Sequence, residues 1–174
     1  MTPRYPPLLR ASEHALKGLM VLNAIYGSGL VLLLVASALF PDALAKGLAG
    51  RRATLVDGAI GGMRLMMLVG LAAVPVAHVM FARLRDMLAT VRAGDPFVVE
   101  NARRLDAIAI AVLALELLHL VVGAIAKSDT YAALGIHIDW SFSFTPWLAV
   151  LLLFVLARVF DHGAHMRADL EGTV

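Results

Sequence analysis

Four long apolar stretches, residues 18–41, 65–82, 107–126 and 140–157, constrain this chain more than anything else in it. The first and last hold no Asp, Glu, Lys or Arg, and the third holds only Glu116. The hydrocarbon core of a bilayer is about 30 Å thick, which takes roughly 20 helical residues to cross. A helix satisfies its backbone polar groups within one segment, so it can cross alone. Composition removes the alternative of a soluble core. The 174 residues are 60% hydrophobic and 16% charged, with mean hydropathy +0.82. Soluble domains sit nearer 45–50% apolar and about 25% charged. A disordered chain, an ordinary soluble enzyme and a nucleic-acid-binding domain are excluded on the same ground. The chain has no cysteine, so it has no disulfide framework, thiolate metal site or cysteine nucleophile.

The expected fold is an all-α membrane protein, one membrane domain over residues 1–174. It is a four-transmembrane-helix bundle with spans near 17–40, 63–84, 105–126 and 145–162. The first stretch follows Arg4, Arg10 and Lys17 and contains Ala36, Ser37 and Ala38, as a signal peptide could. It is far longer than a signal h-region of about 7–15 residues and is expected to stay as an uncleaved helix. The connections are too short for a second core.

Lys and Arg in short loops set orientation. The N-terminus, the middle loop and the C-terminus hold Arg4, Arg10, Lys17, Arg83, Arg85, Arg92, Arg103, Arg104, Arg158 and Arg167; the other side holds Lys46, Arg51, Arg52, Arg64 and Lys127. Ten against five places both termini and the middle loop in the cytoplasm of a bacterial inner membrane. Met87, Leu88 and Val91 keep helical spacing, so the second helix should continue past the bilayer. Gly94 should stop it. Asp95 and Pro96 read as cap and first-turn proline of the next helix, which makes a tight helical hairpin.

Residues 136–144 alternate apolar and polar, a strand period. Paired with Ala53, Thr54, Leu55 and Val56 they would form a small β-hairpin or strand pair in the outer loops. The competing reading is an interfacial belt of Trp140, Phe142, Phe144 and Trp147.

Ionisable side chains at membrane depth are candidate functional groups. His78, Glu116 and His119, with Asn23, form the candidate intramembrane polar cluster. At 1.5 Å per residue, Glu116 lies near the midplane and His119 about 4–5 Å outward on the same face. Glu116 and His119 have the Glu-x-x-His spacing of di-metal bundles, but those need a second motif and further carboxylates. A haem between His78 and His119 would need equal depth, and helix rise puts them about 10 Å apart. No metal or cofactor is expected. Proton or ion passage through Glu116 competes with a packing role, in which Glu116 bonds a histidine, asparagine or serine across the bundle. Gly27, Gly29, Gly61, Gly62, Gly70 and Gly123 let helices approach closely, within the chain or in a homo-oligomer. Arg158, His162, His165 and Asp169 form a stripe on the last helix, read as a solvated face with Arg158 snorkelling.

Two stretches, 94–105 (GDPFVVENARRL) and 160–174 (FDHGAHMRADLEGTV), follow four spans in an order that resembles the DUF2975 family of small bacterial integral membrane proteins of unknown function. Ala168 departs from the pattern, where an acidic residue is expected. The resemblance carries no catalytic residues. It implies companions of short cytoplasmic helix-turn-helix regulators, engaged through Asp95, Pro96, Phe97, Glu100, Asn101, Arg104, Arg167, Asp169 and Glu171. The leading expectation is therefore a non-enzymatic membrane regulator or interaction protein, sensing an envelope or lipid-soluble signal. The second is a small transporter, channel or immunity-type protein working through the Glu/His cluster. A lipid-active enzyme comes third, with no nucleophile to name.

Overall fold

The computed structural model describes residues 7–42, 53–127 and 140–171. These residues form four long α-helices: α1 (Pro7–Leu39), α2 (Ala53–Arg92), α3 (Val99–Ala126) and α4 (Thr145–Glu171). All four are long and apolar enough to cross a membrane. At 1.5 Å per residue α2 is about 60 Å long, twice the hydrocarbon thickness, because the helix starts well ahead of the apolar stretch, at Ala53, and runs on past it to Arg92.

Packing follows chain order, α1 on α2, α2 on α3 and α3 on α4. Lipid tails are as apolar as leucine, so close backbone approach and polar ties must hold such helices together. The covered face of α1 includes Leu16, Met20, Asn23, Gly27, Leu30, Leu34 and Ser37, in steps of four and three, the spacing of left-handed helix pairs. A Cβ on Gly27 would come 3.1 Å from Val74 Cγ1, and one on Gly70 3.0 Å from Leu30 Cδ1. The glycines thus let α1 and α2 nearly touch. Asn23 Nδ2 donates to the Val74 carbonyl, beside Pro75, at 3.0 Å. At the other end of α1, Arg64 Nε donates to Ser37 Oγ at 3.2 Å, and Arg64 Nη2 donates to the Ser37 carbonyl. A cation on the last-turn carbonyls is favourable with respect to the helix dipole.

α3 is the centre. Its buried residues include Ala102, Ala109, Glu116 and Gly123, each seven apart. Val150, Ala157 and Ala164 repeat at the same interval on α4. Small side chains at heptad spacing bring these two backbones together.

The expected strand pair is not present among the described residues. Ala53, Thr54, Leu55 and Val56 are the opening turns of α2, and residues 140–144 lead irregularly into α4. Residues 128–139 lie outside the described residues. A lone strand leaves its backbone groups unpaired, whereas a helix pairs its own. The alternation at 140–144 instead serves aromatic packing. Phe142 meets Phe144 edge-on at 4.9 Å and Trp147 at 6.5 Å between ring centroids.

Candidate functional site

The α2–α3 turn is built around one asparagine. Gly94 has φ +82°, a conformation that costs glycine little. The Gly94 N–H donates to the Val91 carbonyl at 3.1 Å, and the Asp95 N–H to the Thr90 carbonyl at 3.1 Å. That bond pair is the Schellman helix stop. The chain then stays extended, and α3 is capped by Val98 (φ −114°, ψ 146°) without a side-chain cap. Asp95 and Pro96 therefore do not open α3. The Asp95 carboxylate instead accepts from Arg167, 72 residues away on α4, a tertiary pairing that overrides its local capping tendency.

Asn101 is completely buried. Its Nδ2 donates to Thr90 Oγ1 at 2.7 Å and to the Pro96 carbonyl at 2.8 Å, while Arg104 Nη1 donates to its Oδ1 at 2.7 Å. Thr90 in turn donates to the Met87 carbonyl at 2.7 Å. One side chain thus ties the end of α2, the linker and the start of α3. Its sequence position alone did not reveal Thr90 as partner.

α4 docks against this turn. Phe97 lies 5.3 Å from Phe160 between ring centroids, and its Cδ1 would be 3.1 Å from a Cβ on Gly163. Arg158 pairs with Asp106 at 3.5 Å. Glu13 pairs with Lys17 within α1 at 2.8 Å and, across to α2, with Arg92. Asp95 and Phe97 of the turn therefore meet Phe160, Gly163 and Arg167 of α4 on one surface. On it, an apolar groove of about 600 Å³ is lined by Phe97, Val155, Arg158, Val159, His162, Gly163 and Met166. Phe97 and Met166 remain 46% and 52% exposed there. Glu100 lines a separate cavity with Arg83, Arg103 and Arg104. His165 and Asp169 are exposed, as the solvated-stripe reading expects, and Glu171 ends α4.

The intramembrane cluster is only partly assembled. Asn23 is spent on Val74. His78 is exposed on α2. Glu116 is 6% exposed. His119 Nδ1 stands 3.7 Å from Glu116 Oε2, beyond hydrogen-bond reach. Among the described residues Glu116 Oε1 has no hydrogen-bond partner. The pairs Arg158–Asp106, Trp140–Gly123 and Phe97–Gly163 set an antiparallel register that puts Glu116 level with the first turn of α4. That turn carries Trp147, whose buried Nε1 is likewise unpartnered among the described residues. Nearer the end of α3, Trp140 lies against Gly123, with its Nε1 donating to the His119 carbonyl at 3.2 Å and Lys127 Nζ 4.6 Å above its ring. Among the described residues no three His, Asp or Glu side chains converge as metal ligands.

A family model described as a protein of unknown function, DUF2975, matches residues 38–174. The chain belongs to the DUF2975 family. No curated protein and no solved structure matches it. The DUF2975 match takes in α2, α3 and α4, and with them both signature stretches, His78, Glu116 and His119. Asn23 lies ahead of it. In this DUF2975 protein several signature residues have internal partners: Asp95 holds Arg167, Phe97 holds Phe160, and Asn101 holds Thr90. Sequence reasoning missed Thr90 and Arg64, and read Trp147 only as part of an aromatic belt. Arg64 carried one signal, an arginine at the edge of an apolar stretch near the end of the preceding helix.

Proposed function

We propose that this DUF2975 protein is a non-enzymatic membrane regulator that holds a cytoplasmic partner against the surface formed by residues 94–105 and 160–171. One observation carries the reading. Two segments some sixty residues apart meet, and the apolar groove beside Phe97 keeps large apolar side chains exposed. A groove of this kind suits an amphipathic helix, whose apolar anchors fill it. The helix-turn-helix regulator implied by the family resemblance is built from such helices. The excess of Lys and Arg supports a cytoplasmic location for this surface and for both termini in a bacterial inner membrane. An envelope or lipid-soluble signal reaching the helices would be relayed through the α3–α4 contact.

The test is co-purification of the full chain from membranes with a co-expressed regulator of that class. The regulator is expected to be retained and to be lost in Met166→Glu, which places a charge in the groove. Equal retention by the variant, or none by the natural chain, rejects the reading. A cysteine at position 166 is expected to label only from the cytoplasmic side, and labelling from outside intact cells also rejects it.

A second reading, passage of protons or ions, is favoured by buried Glu116, whose Oε1 has no hydrogen-bond partner among the described residues. It requires flux in liposomes that Glu116→Gln abolishes. Equal flux in the two proteins removes it.

A further inference from the structure

The groove between α2 and α3 has two chemically different ends that share one residue. At one end Arg83, Arg103 and Arg104 line a cavity of about 290 Å³ together with Glu100 and Ala107. At the other, Val76, Val79, Ala107, Ile110, Ala111 and Ala114 line an apolar groove of about 330 Å³. Ala107 is where the two join. It is also where the charge-bearing part of α3 gives way to its apolar stretch. Arg83 likewise ends the apolar stretch of α2. The polar end therefore lies at headgroup level and the apolar end among the acyl chains.

Three guanidiniums face one carboxylate, so the polar end carries excess positive charge. Arg104 also serves Asn101. Arg83 and Arg103 have no ion pair among the described residues. Guanidinium forks match phosphate oxygens, and basic pockets between membrane helices are headgroup sites.

We propose that this groove binds one anionic phospholipid. Its phosphate sits between Arg83 and Arg103, and one acyl chain lies along Val79, Ile110 and Ala114. A free phosphate would use only the polar end, and the adjoining apolar groove is what selects the lipid. The site is separate from the Phe97 groove and does not depend on a protein partner.

The test uses the full chain in detergent, with phosphatidylglycerol, phosphatidylcholine and glycerol phosphate as probes. Native mass spectrometry reads retention, and thermal unfolding reads stabilisation. Phosphatidylglycerol is expected to remain bound at about one per chain and to raise the unfolding temperature, with phosphatidylcholine and glycerol phosphate doing neither. The Arg83→Gln/Arg103→Gln variant is expected to weaken phosphatidylglycerol binding on the order of twentyfold, about fivefold per arginine at an anionic surface. Ala107→Leu keeps every arginine and narrows the junction, so it is expected to weaken binding at unchanged helix content. If the double variant loses helix content, Ala107→Leu decides alone. Equal binding of the two lipids overturns the proposal, and so does an unchanged affinity in either folded variant. Displacement by glycerol phosphate at concentrations comparable to the lipid assigns the site to soluble phosphates and overturns the choice of lipid.

Discussion

Asn101→Ala should be among the most damaging single truncations in this chain, although the residue lies at the edge of the apolar stretch. The native side chain makes two neutral hydrogen bonds, to Thr90 Oγ1 and the Pro96 carbonyl, and one charge-assisted bond from Arg104. Neutral bonds contribute about 1 kcal/mol each, and a bond to a charged group about 1.5–3 kcal/mol. Their loss is roughly 4 kcal/mol, before any cost of the cavity left at a fully buried position. Thr90→Val removes one of these bonds together with the bond from Thr90 to the Met87 carbonyl, and should cost about 2 kcal/mol. Because the two variants share the Asn101–Thr90 contact, the double variant should fall short of additivity by about 1 kcal/mol. Reversible unfolding of the detergent-solubilised protein in a denaturing detergent, followed by circular dichroism, measures all three. A loss below about 1 kcal/mol for Asn101→Ala, or full additivity with Thr90→Val, would refute the claim that this side chain holds the α2–α3 turn together.

Gly123→Ala places a Cβ 2.1 Å from Trp140 Cε2, so the ring must leave. The lost bond to the His119 carbonyl and the lost Lys127 contact together cost about 1–2 kcal/mol. Trp140 emission, read in a Trp147→Phe background, should change, and an unchanged spectrum contradicts the placement. Arg64→Ala should cost about 1–2 kcal/mol by freeing the last turn of α1, and Arg64→Lys should recover only part because it cannot reproduce the fork; denaturing-detergent titration compares them. Asp95→Asn with Arg167→Gln breaks a pair that is 40–45% exposed, so it should cost only about 0.2–1 kcal/mol and less at high salt, read by the same titration at two ionic strengths.

Hydropathy made the four helices legible because a helix in lipid must be apolar over its whole length, whichever way each residue faces. For the same reason it could not reveal facing. Helix rise placed His78 and Glu116 both within the hydrocarbon, about 6 Å apart in depth, yet one is exposed and the other buried. The difference is azimuthal and depends on α2 having α1 on one side and α3 on another. Gly94 was readable as a helix stop because its backbone conformation is a local demand. The Asp95 cap was misread because the carboxylate is claimed by Arg167, which no local pattern announces. In the described part of the alternation, residues 140–144, the apolar positions pack as rings, Phe142 on Phe144 and Trp147, and Trp140 on His119, and no strand is present.

The polar groups of the helices fall into two kinds, and the division bears on function. Asn23, Ser37, Arg64 and Asn101 each join one helix to another or to a turn, and packing alone accounts for their presence. In lipid such ties are worth about 0.6 kcal/mol on average and up to about 1.7 kcal/mol, enough to fix which faces meet. Arg92 and Asp106 each have a buried unpartnered atom, but both hold ion pairs through other atoms. Glu116 and Trp147 add a carboxyl oxygen and an indole N–H brought to one level by the α3–α4 register, each without a hydrogen-bond partner among the described residues, while the other carboxyl oxygen of Glu116 lies 3.7 Å from His119. Leaving a polar group unsatisfied in hydrocarbon costs several kcal/mol. A leucine or glutamine at position 116 would avoid or reduce that cost without disturbing the heptad of Ala102, Ala109 and Gly123. Packing and passage therefore make opposite predictions at this position. Glu116 is the position at which a stabilising substitution is expected to expose a loss of function, and Glu116→Gln separates the two by comparing unfolding with flux on the same preparation.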